Sequence, residues 1–114
     1  MELKEKLVSF KVAKLAKEKG FDEISTDYRY TNEELVKGFL YMSIKNSIHA
    51  PTQALLQRWL REVHNIHIEP YVIFNKPNLY GYEINNKRYN GVRFFKYEHS
   101  LEAGLEEGLK LIKQ

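Results

Sequence analysis

The stretch from 50 to 74 changes its hydrophobic period from that of a helix to that of a strand, and it contains the only tryptophan. When residues 53–64 are wound at about 100° per residue, the apolar side chains fall within an arc of roughly 140°. From Ile66 onward the apolar residues alternate, which is typical of a strand. The pattern therefore predicts an amphipathic helix that runs directly into a strand. The apolar side of that helix consists of Leu55, Leu56, Trp59, Leu60 and Val63.

Single residues mark the ends of this helix and the position of the strand. Pro51 suits a first helical turn, where its missing N–H costs nothing, and Thr52 is an alternative start as an N-cap. Asn65 suits the end of the helix, because asparagine tolerates the left-handed conformation found there. Pro70 cannot donate a hydrogen bond within a sheet, so it predicts an edge strand or a bulge. One face of the strand is predicted to carry Ile66, Ile68, Val72 and Phe74.

Three runs of the chain resemble a single protein family. They are APTQALLQRWLREVHNIHIE in the centre, LVSFKVAKLAKEKGFDE before it and SLEAGLEEGLKLI after it. In these runs the chain is similar to a family of small, functionally uncharacterised proteins encoded by bacteriophages and prophages of gut bacteria. The match is weakest from 31 to 48. The resemblance implies a cytoplasmic protein made from a mobile element. It implies no activity, because that family has no established catalytic or binding residues.

The composition indicates one globular domain spanning residues 1–114. A hydrophobic content of 43% is that of a folded chain rather than a disordered one. The absence of cysteine excludes disulfides and thiolate chemistry. No apolar run approaches the ~18 residues of a membrane span, and the first residues lack an apolar signal core, so we expect a cytoplasmic protein without membrane contact. A net charge of +3 permits contact with nucleic acid but does not favour it.

The first helix is predicted from Ser9 to Lys19, with Ser9 as its cap. Gly20 falls where helices adopt the left-handed conformation, and Phe21 would fold back near Ala16 in a Schellman-type ending. Beyond it, tyrosines predict a short strand from Asp27 to Thr31. A turn or a single helical turn is predicted at Asn32–Gly38 and a loop at Asn46–Ala50. Phe39–Lys45 is too short for its periodicity to decide between strand and helix, and its aromatic residues favour a strand.

The C-terminal half is predicted as a meander followed by a helix. Strands are expected at Leu79–Ile84 and at Tyr89–Tyr97, the latter bulged at Asn90–Gly91, so that with the central strand they form three antiparallel strands. Ser100 is expected to cap a helix at Ser100–Lys113. The fold class is therefore α+β, with an antiparallel sheet of about four to five strands and about three helices packed mainly on one face. The apolar stripe of the last helix is Leu101, Leu105, Leu109 and Ile112.

Gly104 and Gly108 stand one turn apart beside that stripe. Each glycine should cost about 1 kcal/mol relative to alanine inside a helix, so something must offset the loss. One interpretation is that the small residues allow close packing against the sheet or the central helix. The other is a groove for a partner helix, as in contacts between helices with small residues at this spacing.

His64, His67 and Glu69 lie close together and have the types of metal ligands, but their directions are unsuitable. His64 ends the predicted helix whereas His67 points from the predicted strand, and a metal needs donors that converge. Serines and histidines are present without a nucleophile elbow, and Ser100 is better explained as a helix cap. The glycines are scattered rather than gathered in a phosphate-binding loop. The sequence therefore predicts no metal, no cofactor and no enzymatic activity.

The outward face of the central helix is one candidate binding surface. It is predicted to carry Gln53, Gln57, Arg58 and Arg61, and arginine and glutamine are residue types that read base edges in the major groove of DNA. Glu62 lies near the same face, and no helix-turn-helix pair precedes Pro51. The alternative interpretation is an ordinary solvated helix face.

The meander offers a second candidate surface. It contains more aromatic residues than three strands need for their core, together with Arg88 and Arg93. Tyrosine and arginine are enriched at protein interfaces, and aromatic residues also stack on single-stranded nucleic acid. The alternative is core packing with cross-strand pairing. The aromatic residues are Tyr71, Tyr80, Tyr82, Tyr89, Phe95 and Tyr97.

These observations predict a non-enzymatic accessory protein of phage type that binds a macromolecular partner, and a protein rather than nucleic acid. The alternative is a small regulator that binds DNA or single-stranded nucleic acid. Neither function requires a cofactor. The residues predicted to contact the partner are Gln57, Arg58, Arg61, Tyr80, Tyr89 and Arg93.

Overall fold

The computed structural model describes residues 6–23, 28–37, 47–74, 78–89 and 91–113. Their order is α-β-β-β-α-β-β-β-α, which contains one strand more than the sequence predicts. The helices are α1 (Phe10–Glu18), α2 (Gln53–His64) and α3 (Tyr97–Lys110). The strands are β1 (Tyr28–Thr31), β2 (Glu34–Lys37), β3 (Ser47–His49), β4 (Ile68–Val72), β5 (Tyr80–Ile84) and β6 (Lys87–Arg88).

The strands form two antiparallel sheets, with the orders β2-β1-β3 and β4-β5-β6. The α+β class is confirmed, but the single sheet of four to five strands is wrong. After β3 the chain pairs with the N-terminal segment: Val8 N–H donates to the Pro51 carbonyl and Gln53 N–H to that of Lys6. Helix α2 then carries the chain to a separate sheet. The prediction that the helices gather mainly on one face stays a prediction.

Helix α1 is capped at both ends as predicted. The Ser9 hydroxyl accepts from Val12 N–H, which satisfies one of the unpaired amides of the first turn. At the other end Gly20 has a φ of +100°, a conformation that glycine adopts without strain. Phe21 N–H then donates to the Ala16 carbonyl at 2.9 Å, and the buried Phe21 ring closes the Schellman ending.

Helix α2 begins at the alternative start and ends as predicted, whereas a first helical turn that includes Pro51 is wrong. Thr52 is the N-cap, since its hydroxyl accepts from Leu55 N–H at 3.1 Å. Asn65 ends the helix in the left-handed conformation with a φ of 56°. Leu56, Trp59 and Leu60 are buried as their spacing predicts, but Val63 is 61% exposed. The apolar arc is therefore shorter at the C-terminal end than the sequence pattern indicates.

The segment between α1 and α2 differs most from the prediction. Asn32 and Glu33 have φ values of 51° and 68° and form a two-residue turn, so Glu34–Lys37 pairs with β1 as a hairpin strand rather than forming a helical turn. Ser47–His49 is strand β3, not loop, because it pairs with β1 from Thr31 back to Arg29. The strand predicted at Phe39–Lys45 lies outside the described residues.

The C-terminal meander is shorter than predicted. Among the described residues after the turn that follows β5, Lys87–Arg88 form the strand that pairs with β5. The chain then leaves the sheet, and Phe94 returns to form an isolated bridge with Tyr80. Gly91 lies in this excursion with a φ of +87°, and Asn90 lies outside the described residues, so the bulge predicted at Asn90–Gly91 stays a prediction. A continuous strand at Tyr89–Tyr97 is therefore wrong.

Helix α3 begins at Tyr97, three residues before the predicted cap. Ser100 is fully buried inside the helix, and its hydroxyl donates to the Tyr97 carbonyl at 2.8 Å, so it is not the N-cap. Lys96 occupies the cap position without a side-chain hydrogen bond. The predicted apolar stripe is confirmed, because Leu101, Leu105, Leu109 and Ile112 are all buried.

Both helix glycines lie against the second sheet. A Cβ atom at Gly104 would stand 2.7 Å from Ile68 Cγ2 and 3.3 Å from Tyr82 Cβ. A Cβ atom at Gly108 would stand 2.6 Å from Ile68 Cδ1. The helix backbone therefore lies directly on the side chains of β4 and β5, which confirms the close-packing interpretation of the two glycines.

Candidate functional site

The outward face of α2 carries fewer free polar groups than the sequence predicts. Gln53 is buried, and its side-chain amide donates to the Glu98 carbonyl and to Glu102 Oε1. Gln57 is half-buried and donates to the Ile68 carbonyl at 2.7 Å. Both glutamine amides thus hold the fold together. The exposure predicted for Gln53 is wrong, and Gln57 already has a hydrogen-bond acceptor.

The two arginines of this face are exposed, as predicted. Arg58 Nη2 lies 4.0 Å from Glu23 Oε1, a surface ion pair of little energetic weight. Arg61 shares the last turn of α2 with His64. Of the four residues predicted to face DNA, only the two arginines therefore have side chains that are not already bonded within the fold as the glutamine amides are.

Gln57 and Pro70 together protect the outer edge of β4. Residues of an antiparallel strand point their amide and carbonyl groups alternately toward the partner strand and away from it. The bond from Ile73 N–H to the Leu79 carbonyl shows that odd-numbered residues face β5, so even-numbered residues face the outer edge. At that edge Pro70 has no N–H, and the Ile68 carbonyl is taken by Gln57. The edge is therefore a poor template for another strand.

Gln57→Ala is expected to lower the free energy of unfolding by about 0.5–1.5 kcal/mol, because the Ile68 carbonyl loses its donor. Urea denaturation measures the loss. Arg61→Ala is the matched control on the same helix and should stay within about 0.5 kcal/mol of the wild type. Equal stability of the two variants would show that the bond from Gln57 contributes nothing to folding.

The aromatic residues of the second sheet divide between its two faces. Tyr82 is buried on the side of α3, and the Tyr89 ring stacks on it with centroids 5.1 Å apart. On the other face Tyr71 lies over Gly81, and the Arg88 guanidinium stands 4.1 Å above the Tyr71 ring. Tyr89, predicted to contact a partner, is thus already half-buried against the core.

Four large apolar side chains are exposed at one end of the second sheet, and we call this group the apolar end. It consists of Val72, Phe74, Phe95 and Tyr97. Val72 lies opposite Tyr80 in the ladder, and the Tyr80 ring contacts that of Tyr97 with centroids 6.1 Å apart. Phe74 is 86% exposed and Phe95 is 80% exposed. Of the predicted contact residues, Tyr80 lies next to this end.

Charged residues of both signs surround the apolar end. Arg93 and Lys96 are exposed in the segment that carries Phe95, and among the described residues neither forms an ion pair. On the Tyr97 side, burial raises the pKa of the tyrosine hydroxyl, and the carboxylates of Glu69 and Glu98 add to the increase. Two exposed cations that form no ion pair among the described residues are thus close to Phe95 in the chain.

The histidines of the HNIHIE run do not converge. The His64 ring packs against Trp59 with centroids 4.7 Å apart, while the His67 ring faces the Asn65 side-chain oxygen at 3.1 Å. Across residues 6–23, 28–37, 47–74, 78–89 and 91–113, no group of three His, Cys, Asp or Glu side chains is placed to hold a metal ion. None of the helices in the same ranges is long and apolar enough to cross a membrane.

The first sheet carries a group of polar residues that was not predicted from the sequence, and we call it the polar cluster. It consists of Arg29, Thr31, Ser47 and His49, which the register of β1 and β3 places in two facing pairs. Arg29 is only 6% exposed. Arg29 and Thr31 alternate with tyrosines along β1, so the sequence places them on one face of the strand. Which residues they stand opposite is known only from the pairing with β3.

Comparisons of the chain with protein-family models, with curated proteins and with solved structures find no match.

Proposed function

We propose that this chain is a non-enzymatic accessory protein that binds a protein partner through the apolar end of its second sheet. The observation that carries the proposal is the exposure of Val72, Phe74, Phe95 and Tyr97 at one place. Exposed apolar side chains at this end of the sheet leave apolar surface in water, which binding a partner would remove.

The composition of the apolar end supports a protein partner. Aromatic residues and arginine are enriched in the contact centres of protein interfaces, and lone charges usually lie at the rim. Here Phe74 and Phe95 are the most exposed of the apolar side chains, and the exposed Arg93 and Lys96 are close to Phe95 in the chain. The other exposed apolar pair, Leu35 and Val36 on β2, is 46% and 39% exposed and contains no ring.

The protected edge of β4 favours one mode of binding over another. A partner that adds a strand needs free amide and carbonyl groups along the edge. Pro70 and Gln57 remove such groups at the middle and the start of β4. Contact through side chains at the apolar end is therefore favoured over strand addition.

Single-stranded nucleic acid is the second candidate partner for the same surface. Exposed rings beside unpaired cations are the features on which bases stack and phosphates bind. The specific observation in its favour is that Arg93 and Lys96 flank Phe95. Binding of this kind must weaken steeply as the salt concentration rises, because phosphate contacts release counterions.

The resemblance to phage-encoded proteins supports the remaining parts of the proposal. A protein made from a mobile element would act in the cytoplasm of the host cell and would find its partner there. That placement agrees with the lack of cysteine in the sequence.

The test is a pull-down of tagged protein from host lysate, with and without nuclease treatment. We expect wild-type protein to retain a partner after nuclease treatment, and Phe74→Asp with Phe95→Asp to lose it, since two carboxylates would be buried without partners. Arg58→Glu with Arg61→Glu is the matched control on the other candidate surface and should retain the partner. Thermal melting of both variants checks that the fold persists.

Each other outcome has a definite meaning. Loss of the partner only in the arginine variant would move the site to α2 and refute the apolar end. Loss after nuclease treatment, together with a steep salt dependence of binding to a labelled oligonucleotide, would replace the protein partner by nucleic acid. Retention by both variants would refute both surfaces.

A further inference from the structure

The polar cluster faces away from the side of the first sheet that packs on the core. Tyr30 and Ile48 are opposite each other in the ladder and contribute to the core, so the residues between them in each strand point to the other face. That face places Arg29 opposite His49 and Thr31 opposite Ser47. Directly opposite side chains in a sheet stand about 5 Å apart, so the four polar groups are neighbours.

The contact between Arg29 and His49 fixes the state of the histidine ring. Arg29 Nη2 lies 3.3 Å from His49 Nε2. A guanidinium group has donors only, so Nε2 must accept and the proton of the neutral ring must be on Nδ1. Burial lowers the pKa of His49, and the positive charges of Arg29 and Lys17 lower it further. The ring is therefore neutral at pH 7 and presents an Nδ1–H donor.

Two atoms of the cluster are buried without a hydrogen bond. Within the described part of the chain, neither His49 Nδ1 nor the Thr31 hydroxyl oxygen has a partner. Buried polar groups are nearly always satisfied, so each exception calls for a physical explanation. An Nδ1–H and a hydroxyl beside a guanidinium form a set of donors in a positive environment.

We propose that the polar cluster binds a phosphate group, with His49 Nδ1–H and the Thr31 hydroxyl as donors and Arg29 as the source of positive charge. This site is independent of the apolar end and adds a small-molecule ligand to the proposed function. An oxyanion accepts hydrogen bonds from every one of these groups, whereas a metal ion or an ammonium group would be repelled by Arg29. Thr31, Ser47 and His49 are each partly exposed, so a ligand would reach the two buried donor atoms through a rotation of these side chains.

A phosphate fits the cluster better than a carboxylate does. The donors come from two strands and from both ends of the facing pairs, so they approach from different directions. A tetrahedral group offers oxygens in several directions, while a carboxylate offers two in one plane. The bound group is therefore either free phosphate or the phosphate of a small metabolite.

The experiment is an NMR titration of protein with ¹⁵N-labelled histidine, at pH 7 and constant ionic strength, in which inorganic phosphate replaces chloride. The Nδ1 signal of His49 should shift in a saturable manner. The rings of His67 and His99 are exposed elsewhere and should not shift, which makes them internal controls. A parallel titration with a phosphorylated sugar determines whether a metabolite phosphate binds more tightly than free phosphate.

Thr31→Val is the test variant, because valine has the shape of threonine and suits a strand but lacks the hydroxyl. We expect the phosphate affinity to fall about tenfold, as for loss of a hydrogen bond to a charged group. Ser47→Ala removes a hydroxyl from the same face as a second variant. In either variant the unchanged ring signals of His67 and His99 show that the fold is intact.

Three results would overturn the proposal. A His49 signal that phosphate leaves unmoved would mean that the two atoms bind only water. An equal shift with acetate would show that the cluster takes carboxylates and has no preference for phosphate. An unchanged phosphate affinity in Thr31→Val would show that the hydroxyl does not contact the ligand.

Discussion

Replacing Trp59 with alanine is expected to lower the free energy of unfolding by about 3–5 kcal/mol, the usual range for truncating a buried aromatic side chain. The indole is 7% exposed. Phe21 and His64 pack edge-on against it, with ring centroids 5.3 Å and 4.7 Å away. Trp59 thus joins the end of α1 to α2, and its removal leaves a cavity that neither neighbour can fill without moving.

The loss is measured by urea denaturation followed by circular dichroism, since the variant lacks the only tryptophan. Val63→Ala is the matched control, because Val63 belongs to the same predicted apolar arc but is 61% exposed. We expect that variant to stay within about 0.5 kcal/mol of the wild type. Similar losses in the two variants would show that position on the arc, and not burial, sets the contribution.

The helices could be predicted from the sequence because their signals are local. Ser9 and Thr52 cap the first turns by bonds to amides three residues away, and Gly20 and Asn65 end the helices through their own φ angles. None of these interactions depends on where the rest of the chain lies. The buried stripe of α3 could also be predicted. The first residue of this helix could not, because Lys96 occupies the N-cap position without a side-chain hydrogen bond.

The strands of the first sheet were harder to predict because their signals depend on pairing. The residues of β2 read ELVK, in which apolar and polar residues do not alternate, and all four are exposed. The sequence therefore gives no sign of a strand at Glu34–Lys37. Its turn uses Asn32 and Glu33 at positive φ, and glutamate is not a residue that usually signals such a turn. β3 is three residues long and is defined by its bonds to β1.

The candidate site was predicted in part for the same reason. Tyr80 and Arg93 were named from residue type. Tyr80 contacts Tyr97 of the apolar end, and Arg93 is two residues from Phe95. Phe74 was assigned to a strand face with Ile68, and alternation alone does not show that α3 covers Ile68 and leaves Phe74 in water. Glutamine is a residue type that contacts DNA bases, which is why Gln57 was assigned to a binding surface. Only the pairing of β4 shows that its side-chain amide donates to a carbonyl at the strand edge.

Gly104→Ala is expected to destabilise the protein by about 1–2 kcal/mol, although alanine is the better helix former. Overpacking costs about 1–3 kcal/mol, and the gain in helix propensity of about 1 kcal/mol offsets part of it. The new Cβ would stand 2.7 Å from Ile68 Cγ2, a methyl group fixed directly to the branched carbon, and 3.3 Å from Tyr82 Cβ. Tyr82 Cβ is fixed to the backbone of β5, and Cγ2 of the buried Ile68 moves only if χ1 leaves its rotamer or β4 shifts.

Gly108→Ala is the matched control and should change stability by less than about 0.5 kcal/mol. Its close neighbour is Ile68 Cδ1 at 2.6 Å, the end of a flexible side chain that can rotate away. Ile68→Val separates the two cases, because valine lacks Cδ1 but keeps Cγ2. In that background Gly108→Ala should become stabilising by up to about 1 kcal/mol, as propensity alone predicts, while Gly104→Ala should remain destabilising. If Ile68→Val relieved both glycine variants equally, the contact of Gly104 with Cγ2 would not be what requires glycine there.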